Sequence, residues 1–264
     1  MNIKDKKIDR GKAFDWGRVS SEYAKYRDIY PQEIYDKIIS LGLCTKGQKV
    51  LDLGTGTGVV PRNLYRYGAD FIGADISENQ IEYAKMLAKE NNQDIKFIVS
   101  SAEDTDFPKD TFDVITAFTC FFYFNYEIVV PKLAGMLKPN GKLVILYMSW
   151  LPFEDKIAKA SEDLILKYNP KWSGSGETRR PIILPDFVDK YFDTVHSEEI
   201  DLDVPFTRES WNGRMKACRG VGASLTDEEI SSWENEHKEL LAKIADESFE
   251  IKHYAAIKVL QVRK

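Results

Sequence analysis

The stretch VLDLGTGTGVV, from Val50 to Val60, limits what this chain can fold into more than any other. An apolar run carrying one acid, Asp52, enters a loop in which Gly54, Gly56 and Gly58 alternate. Glycine lacks a Cβ, so it permits tight turns and close backbone approach to a ligand. A loop that feeds a helix presents N–H groups that hold a phosphate or equally a carboxylate. The spacing argues against two nucleotide loops. No Gly-Lys-Ser or Gly-Lys-Thr follows, as a P-loop needs. Counted from Gly54 and Gly56, the last position of a dinucleotide fingerprint falls on Val59, where Gly or Ala is required. A strand-to-helix turn with no ligand is the plain alternative.

The flanking sequence alternates between two periods. Pro31 opens a predicted helix with Ile34, Tyr35, Ile38 and Leu41 on one stripe and Gly42 as its stop. QKVLDL is a short buried strand. A helix is expected from about Val59 to Tyr67, ended by Gly68. Residues 69–75 read as a second strand ending in Asp75. Ser77 to Gln80 form a capping-box pattern, opening a helix with Ile81, Ala84, Met86, Leu87 and Ala88 inward. Strands are predicted at 95–99 and 112–118, a helix at 126–137, a turn at 138–141 and a strand at 142–148. Such alternation gives a parallel sheet with helices on both faces, and ligands bind at the carboxyl ends of its strands. Asp52, the glycine loop, Asp75, residues 101–103 and 116–119 all fall at such ends, so separate segments converge on one crevice.

After Met148 the regular beat breaks. A helix is expected over 154–167, then a loop with Gly174, Gly176, Arg179 and Arg180, with strands at 193–206 and 251–262. Thr207 is placed to cap a helix carrying Trp211, Met215 and Cys218. Thr226 to Glu229 form a capping box for a helix carrying Ile230, Trp233, His237, Leu240, Leu241 and Ile244.

Composition narrows the partners. A chain of 264 residues fits one large α/β domain or a core with an appended cap. A net charge of -5 leaves no basic footprint for nucleic acid. Cys44, Cys120 and Cys218 stand far apart with no CxxC pair, so no metal site is expected. Sparse thiols suit a reducing cytosol. The start lacks an apolar leader, and no run approaches ~18 apolar residues, so a cytoplasmic protein with no membrane partner is the expectation.

Asp75 lies about twenty residues past the loop, where ribose hydroxyls sit in nucleotide sites. A carboxylate accepts from both hydroxyls and repels a 2′-phosphate. Asp52 can meet a ligand ammonium, directly or through water. An adenosine with an amino-acid tail satisfies both acids.

VLDLGTGTG, the acid Asp75, SSAEDTDF, FDVITAF and KPNGKLVIL together resemble class I S-adenosylmethionine-dependent methyltransferases over roughly residues 30–150. SEYAKYRDIYP resembles N-terminal segments of small-molecule members, including the trans-aconitate methyltransferase-like group. The resemblance implies an α/β fold: a doubly wound, mostly parallel seven-stranded Rossmann-like sheet with a helical cap from the C-terminal half. Its implied organisation is an N-terminal segment (1–30) closing over the cofactor and a cofactor-binding core (31–150). Cap or substrate insertions follow at 151–192 and 207–250, with the last strands of the core at 193–206 and 251–264. S-adenosyl-L-methionine is the implied cofactor and S-adenosyl-L-homocysteine the product.

Carried residue by residue, Gly54, Thr55, Gly56 and Gly58 match the loop under the methionine moiety, and Asp52 the acid near its amino group. Asp75 matches the ribose ligand, Ile76 the residue packing on adenine, and Ala102 and Glu103 the adenine edge. Many relatives carry aspartate where this chain has Ser101, which leaves the partner of the adenine amine open. Thr116 matches the strand end facing the sulfonium. Tyr23 and Arg27 match residues that close the cofactor pocket in some relatives.

Methyl transfer of this kind needs alignment and water exclusion more than a universal catalytic residue. The weak candidates for one are His237 and Arg214. Candidate acceptor contacts are Phe121, Tyr123, Trp211, Arg214 and Arg179, an aromatic and cationic set suited to a small carboxylic acid. For each there is a bland reading: core packing, a buried histidine, a solvated face. A non-catalytic S-adenosylmethionine-binding protein, a nicotinamide-dependent oxidoreductase and an RNA methyltransferase are the competing functions. Val59 weighs against the second and the acidic balance against the third.

Overall fold

The computed structural model describes residues 4, 11, 13–19, 25–26 and 30–263. The chain divides into two compact units. One comprises Met1–Ile29, Ser149–Arg179 and Asp201–Tyr254, the other Tyr30–Met148, Arg180–Ile200 and Ala255–Lys264.

In the larger unit, β1 (Lys49–Leu53) pairs in parallel with β2 (Asp70–Asp75) on one side and β4 (Phe112–Phe118) on the other. β2 pairs with β3 (Lys96–Val99), and β4 with β5 (Leu137–Trp150), both in parallel. With β6 (Phe192–Thr207) and β7 (Ser248–Val262), the sheet has seven strands in the order β3-β2-β1-β4-β5-β7-β6. This is the doubly wound, mostly parallel sheet expected. The order reverses between β1 and β4, the switch point at which such sheets bind ligands.

Strands covered on both faces read as near-continuous apolar runs, as β1 does. Leu51, Leu53, Ile72, Ala74, Ile115 and Ala117 share a buried core with Val129, Val130 and Leu133 of α4. The helices here are α1 (Gln32–Ser40), α2 (Val59–Leu64), α3 (Glu78–Glu90) and α4 (Tyr126–Met136). α2 tightens into a 3-10 turn over Tyr65–Tyr67 and stops at Gly68, φ 85°. Ser77 caps α3 through the N–H of Gln80, and Ile81, Ala84 and Ala88 pack on Phe97. Met86, expected inward, is exposed, because it falls off the face that residues 81, 84 and 88 define.

The predicted turn at 138–141 is absorbed into β5. From Leu137 to Lys142 the strand advances five residues while its partner advances two, from Phe112 to Val114. The surplus loops out around Asn140, whose φ is 66°. The turn chemistry was legible; that the strand resumes its pairing on both sides of it was not.

The smaller unit contains α5 (Lys156–Tyr168), α6 (Arg208–Lys216) and α7 (Asp227–Ile244). Both α6 and α7 open with reciprocal capping boxes, Thr207 with Ser210 and Thr226 with Glu229. α7 buries Trp233, His237 and Leu241, whereas Ile244 at its frayed end is exposed. Cys218 lies beyond the end of α6 yet is buried. Of the N-terminal segment, Tyr26 donates to Glu209 Oε1 at 2.9 Å, and its ring stands where a side chain on Gly213 would have to go. No helix among the described residues is long and apolar enough to cross a membrane.

Candidate cofactor site

The carboxyl ends of β1, β2 and β4 bring three of the predicted segments together. Asp52 pairs in register with Gly73 and with Thr116. Thr116 Oγ1 donates to Asp52 Oδ1 at 2.6 Å, and both residues are buried. The other carboxylate oxygen, Asp52 Oδ2, is buried and makes no well-formed hydrogen bond among the described residues, although the Thr55 hydroxyl lies near enough to favour the ionised carboxylate. Thr57 Oγ1, in the loop above it, is buried without a partner among the described residues. Burial pushes the Asp52 carboxyl up from 3.8 to about 7.

The loop is built to stay open to a ligand. Gly54, Gly56 and Gly58 all adopt left-handed φ values, 62°, 57° and 75°. A Cβ on Gly54 would stand 2.7 Å from Cys120 Sγ, and one on Gly58 2.7 Å from Phe97 Cζ. Those two positions therefore require glycine for space as well as for conformation. Gly56 N–H donates to Asp75 Oδ2 at 2.9 Å, while Ser77 N–H donates to Oδ1 at 2.9 Å. Asp75 thus ties the loop to the end of β2, and burial raises its carboxyl above the usual range. Two carboxylate oxygens offer about four acceptor sites, so both keep capacity for hydroxyl donors. Ile76, beside it, is exposed, and Ala102 is buried.

These residues fit S-adenosylmethionine. Asp52 offers a buried carboxylate of the kind an ammonium needs, Asp75 keeps acceptor capacity of the kind a pair of hydroxyls needs, and the glycines form a bed without side chains. Among the described residues no group of three or more His, Cys, Asp or Glu is placed to hold a metal.

Other predicted residues have different occupations. Glu103 Oε1 accepts the Asn125 N–H at 2.7 Å, just ahead of α4, and its carbonyl accepts Lys132 Nζ at 2.5 Å. Ser101 Oγ donates to Asp104 Oδ2 at 2.7 Å and accepts the Asp104 N–H, which makes a local turn. Tyr23 and Arg27 lie outside the described residues.

Thr119 ends β4 at φ 58°, a left-handed conformation that β-branched residues seldom take. Its N–H donates to Leu146 O at 2.6 Å, and its hydroxyl lies 3.0 Å from Tyr30 Oη. Cys120 Sγ donates to Leu53 O at 3.1 Å. Burial holds its thiol well above the usual value, so it is no nucleophile.

His237 is 0% exposed. Its Nδ1 lies 2.9 Å from Asn212 Oδ1 and its Nε2 3.0 Å from Ser161 Oγ, and its ring stacks on Trp233. Burial pushes it down to about 3, so the imidazole is neutral. Ser161 Oγ also donates to Ile157 O and accepts from Trp211 Nε1. The Ser–His–Asn order resembles a nucleophile triad, but its atoms are closed on one another in a core. Neither Ser161 nor Asn212 carried any signal in the sequence.

Phe121 is buried and stacked on Tyr126, and Trp211 is buried with its N–H on Ser161. Arg179 is held by Glu154 and Asp201. Arg214 is buried, with its guanidinium 4.9 Å from the Trp150 ring centre. Tyr123 sits half-buried against Phe122.

Residues 51–145 match a family model described as a methyltransferase domain. A ubiquinone biosynthesis O-methyltransferase of Bradyrhizobium diazoefficiens is 31% identical over 151 residues, which cover 56% of this chain and 57% of that protein. The enzyme of the same name from Mesorhizobium japonicum is 29% identical over 48% of this chain and 51% of its own length. This chain therefore spans only about half the length of these curated relatives. The crystal structure of the YcgJ protein of Bacillus subtilis superposes with a TM-score of 0.53 at 19% identity, over 89% of this chain and 99% of that one. That likeness establishes the fold. Residues 51–145, which hold Asp52 and the glycine loop, are thus similar to methyltransferase domains, a family whose methyl donor is S-adenosylmethionine.

Proposed function

We propose that the chain transfers the methyl group of S-adenosylmethionine to a small-molecule acceptor that carries a carboxylate. The observation behind this reading is the buried Asp52, with one oxygen fixed by Thr116 and the other, near Thr55, lacking a well-formed hydrogen bond, beneath a loop tied to Asp75. Bound there, the sulfonium supplies a methyl group that is already activated. The work left to the protein is alignment. Asp52 holds the ammonium, Asp75 fixes the ribose, and the glycine loop lets the backbone follow the tail between them. His237 has no part in proton transfer on this reading. An acceptor already ionised, as a carboxylate or an acidic phenol, needs no base. Relatives named O-methyltransferases support oxygen as the attacked atom. The net charge of -5 supports a small molecule over nucleic acid.

Calorimetry of the full chain with S-adenosylmethionine, S-adenosylhomocysteine and NAD, titrated separately, tests the cofactor half. Micromolar binding of the two sulfur nucleosides and none of NAD is expected; NAD binding alone would overturn the reading. A panel of small carboxylic acids, scored by formation of S-adenosylhomocysteine, tests the acceptor half. Turnover only with acceptors that lack a carboxylate would remove that part of the proposal.

A further inference from the structure

The chain leaves β4 through a strained residue. Thr119 follows Phe118, the last residue of that strand, with φ 58°. Among the described residues with a left-handed φ it is the only β-branched one, and for such a side chain the conformation is a genuine outlier. Glycine would take it at no steric cost. The side chain that stands there instead carries a hydroxyl with a partner, since Thr119 Oγ1 lies 3.0 Å from Tyr30 Oη. The Tyr30 ring is set by edge-on contacts with Phe118 at 5.6 Å and Tyr35 at 6.4 Å. The Thr119 N–H is anchored on Leu146 O of β5.

The effect of the turn is visible one residue on. β1 and β4 run in parallel, with Asp52 beside Thr116. An extended chain would carry residue 120 onward along β4. The left-handed residue instead sets Cys120 across the end of β1, where its Sγ donates to Leu53 O at 3.1 Å. The same Sγ stands 2.7 Å from the place of a Cβ on Gly54. Cys120 thus walls the first glycine of the cofactor loop. All of these residues belong to the larger unit.

From this series of contacts we infer that Tyr30 and Thr119 are positioning residues for the cofactor site. Their shared hydroxyl bond holds the left-handed turn that seats Cys120 against the glycine loop, and so braces that loop for the amino-acid tail of S-adenosylmethionine. The inference rests on the methyl-transfer reading and adds two residues to its site. Neither hydroxyl is asked to touch the ligand. Backbone strain persists only where the surrounding structure over-determines it, and it collects at ligand sites. A loop already held in its bound shape has less ordering to lose on binding, which raises affinity without a new contact.

The test is calorimetry of the full chain with S-adenosylhomocysteine, run beside thermal unfolding of each variant. Thr119→Val keeps the branched shape and drops the hydroxyl, so it should weaken binding about fivefold, the effect of one net hydrogen bond. Tyr30→Phe should do the same. The double variant should bind no more weakly than the weaker single one, because both changes remove one bond; this cycle separates that bond from other contacts of either side chain. Thr119→Ser keeps the hydroxyl and should stay within twofold of the unaltered chain. Thr119→Gly divides positioning from stability. Relief of strain offsets the lost bond, so the unfolding midpoint should hold or rise while affinity falls. Affinity within twofold in both Thr119→Val and Tyr30→Phe overturns the brace and leaves the methyl-transfer reading standing. Additive losses in the double variant, or a Thr119→Gly chain that binds as tightly as the unaltered one, do the same. Failure of the unaltered chain to bind S-adenosylhomocysteine overturns the methyl-transfer reading, and the brace falls with it.

Discussion

Two buried polar clusters, one in each unit, look alike in composition and differ in closure. Around His237, Ser161 and Asn212 lie against the two ring nitrogens and Trp211 donates to Ser161, while the indole N–H of the stacked Trp233 is left over. Around Asp52, one carboxylate oxygen and the Thr55 and Thr57 hydroxyls lack well-formed hydrogen bonds, with Thr55 lying near the carboxylate. Buried polar groups in proteins are nearly always hydrogen-bonded, so an open cluster marks a place reserved for something else. A closed one holds its own structure together. On this criterion Asp52 rather than His237 is the candidate for ligand contact, although histidine and serine are the more usual catalytic residues.

The comparison can be broken by substitution. Asp52→Asn removes the charge that meets the ammonium; affinity for S-adenosylmethionine should fall by about 3–4 kcal/mol, as for one partner of a buried charge pair. Thermal unfolding should show no matching loss of stability. An unchanged dissociation constant would place the ammonium elsewhere. His237→Ala should do the opposite. It opens a cavity and orphans Ser161 and Asn212, so denaturant unfolding should report a loss of about 2–4 kcal/mol. Affinity for S-adenosylhomocysteine should persist under conditions where the variant is folded. Lost turnover at unchanged stability would instead make the imidazole catalytic.

A change of pH gives a smaller effect on the open cluster alone. Burial raises the Asp52 carboxyl from 3.8 to about 7, so the unliganded folded chain keeps a proton that the unfolded chain releases. Its contribution to stability therefore declines as pH rises from about 4 to about 7. An ammonium ligand favours the ionised form. Affinity for S-adenosylmethionine should rise up to tenfold per pH unit below about 7 and level off above it, and Asp52→Asn should flatten the profile. A flat profile in the unaltered chain would mean that Asp52 is already ionised. The smallest effect belongs to Arg179→Ala. Its exposed pairs with Glu154 and Asp201 carry little net stability, so unfolding should be unchanged within error.

The conformation of the glycine loop and its tie to Asp75 were legible because their determinants are local. Glycines at left-handed positions, an acid at the end of each of two strands and a capping serine are all read from neighbours in sequence. The C-terminal half was legible in its caps: Thr207 and Thr226 open helices as expected. What failed depends on partners distant in the chain. Arg179 looked available until Asp201 and Glu154 were placed beside it. Nothing near Glu103 in the sequence announced that its carboxylate would accept the Asn125 N–H. Phe121 and Tyr123 read alike as acceptor contacts, yet Phe121 faces the core and Tyr123 sits half-buried against Phe122, a division set by how the 3-10 turn after β4 lies on the sheet. Helical spacing placed His237 inward but said nothing of the two side chains that would meet its ring.

Thr119 has a consequence for how this sequence drifts under selection. A left-handed β-branched residue costs on the order of 1–3 kcal/mol, and glycine or asparagine would relieve most of it. A library of variants selected only for survival at high temperature should therefore replace Thr119 early. A library selected for methyl transfer should retain it, if the hydroxyl facing Tyr30 matters to the reaction. The side chain that persists at this one position would record which of the two pressures a lineage has met.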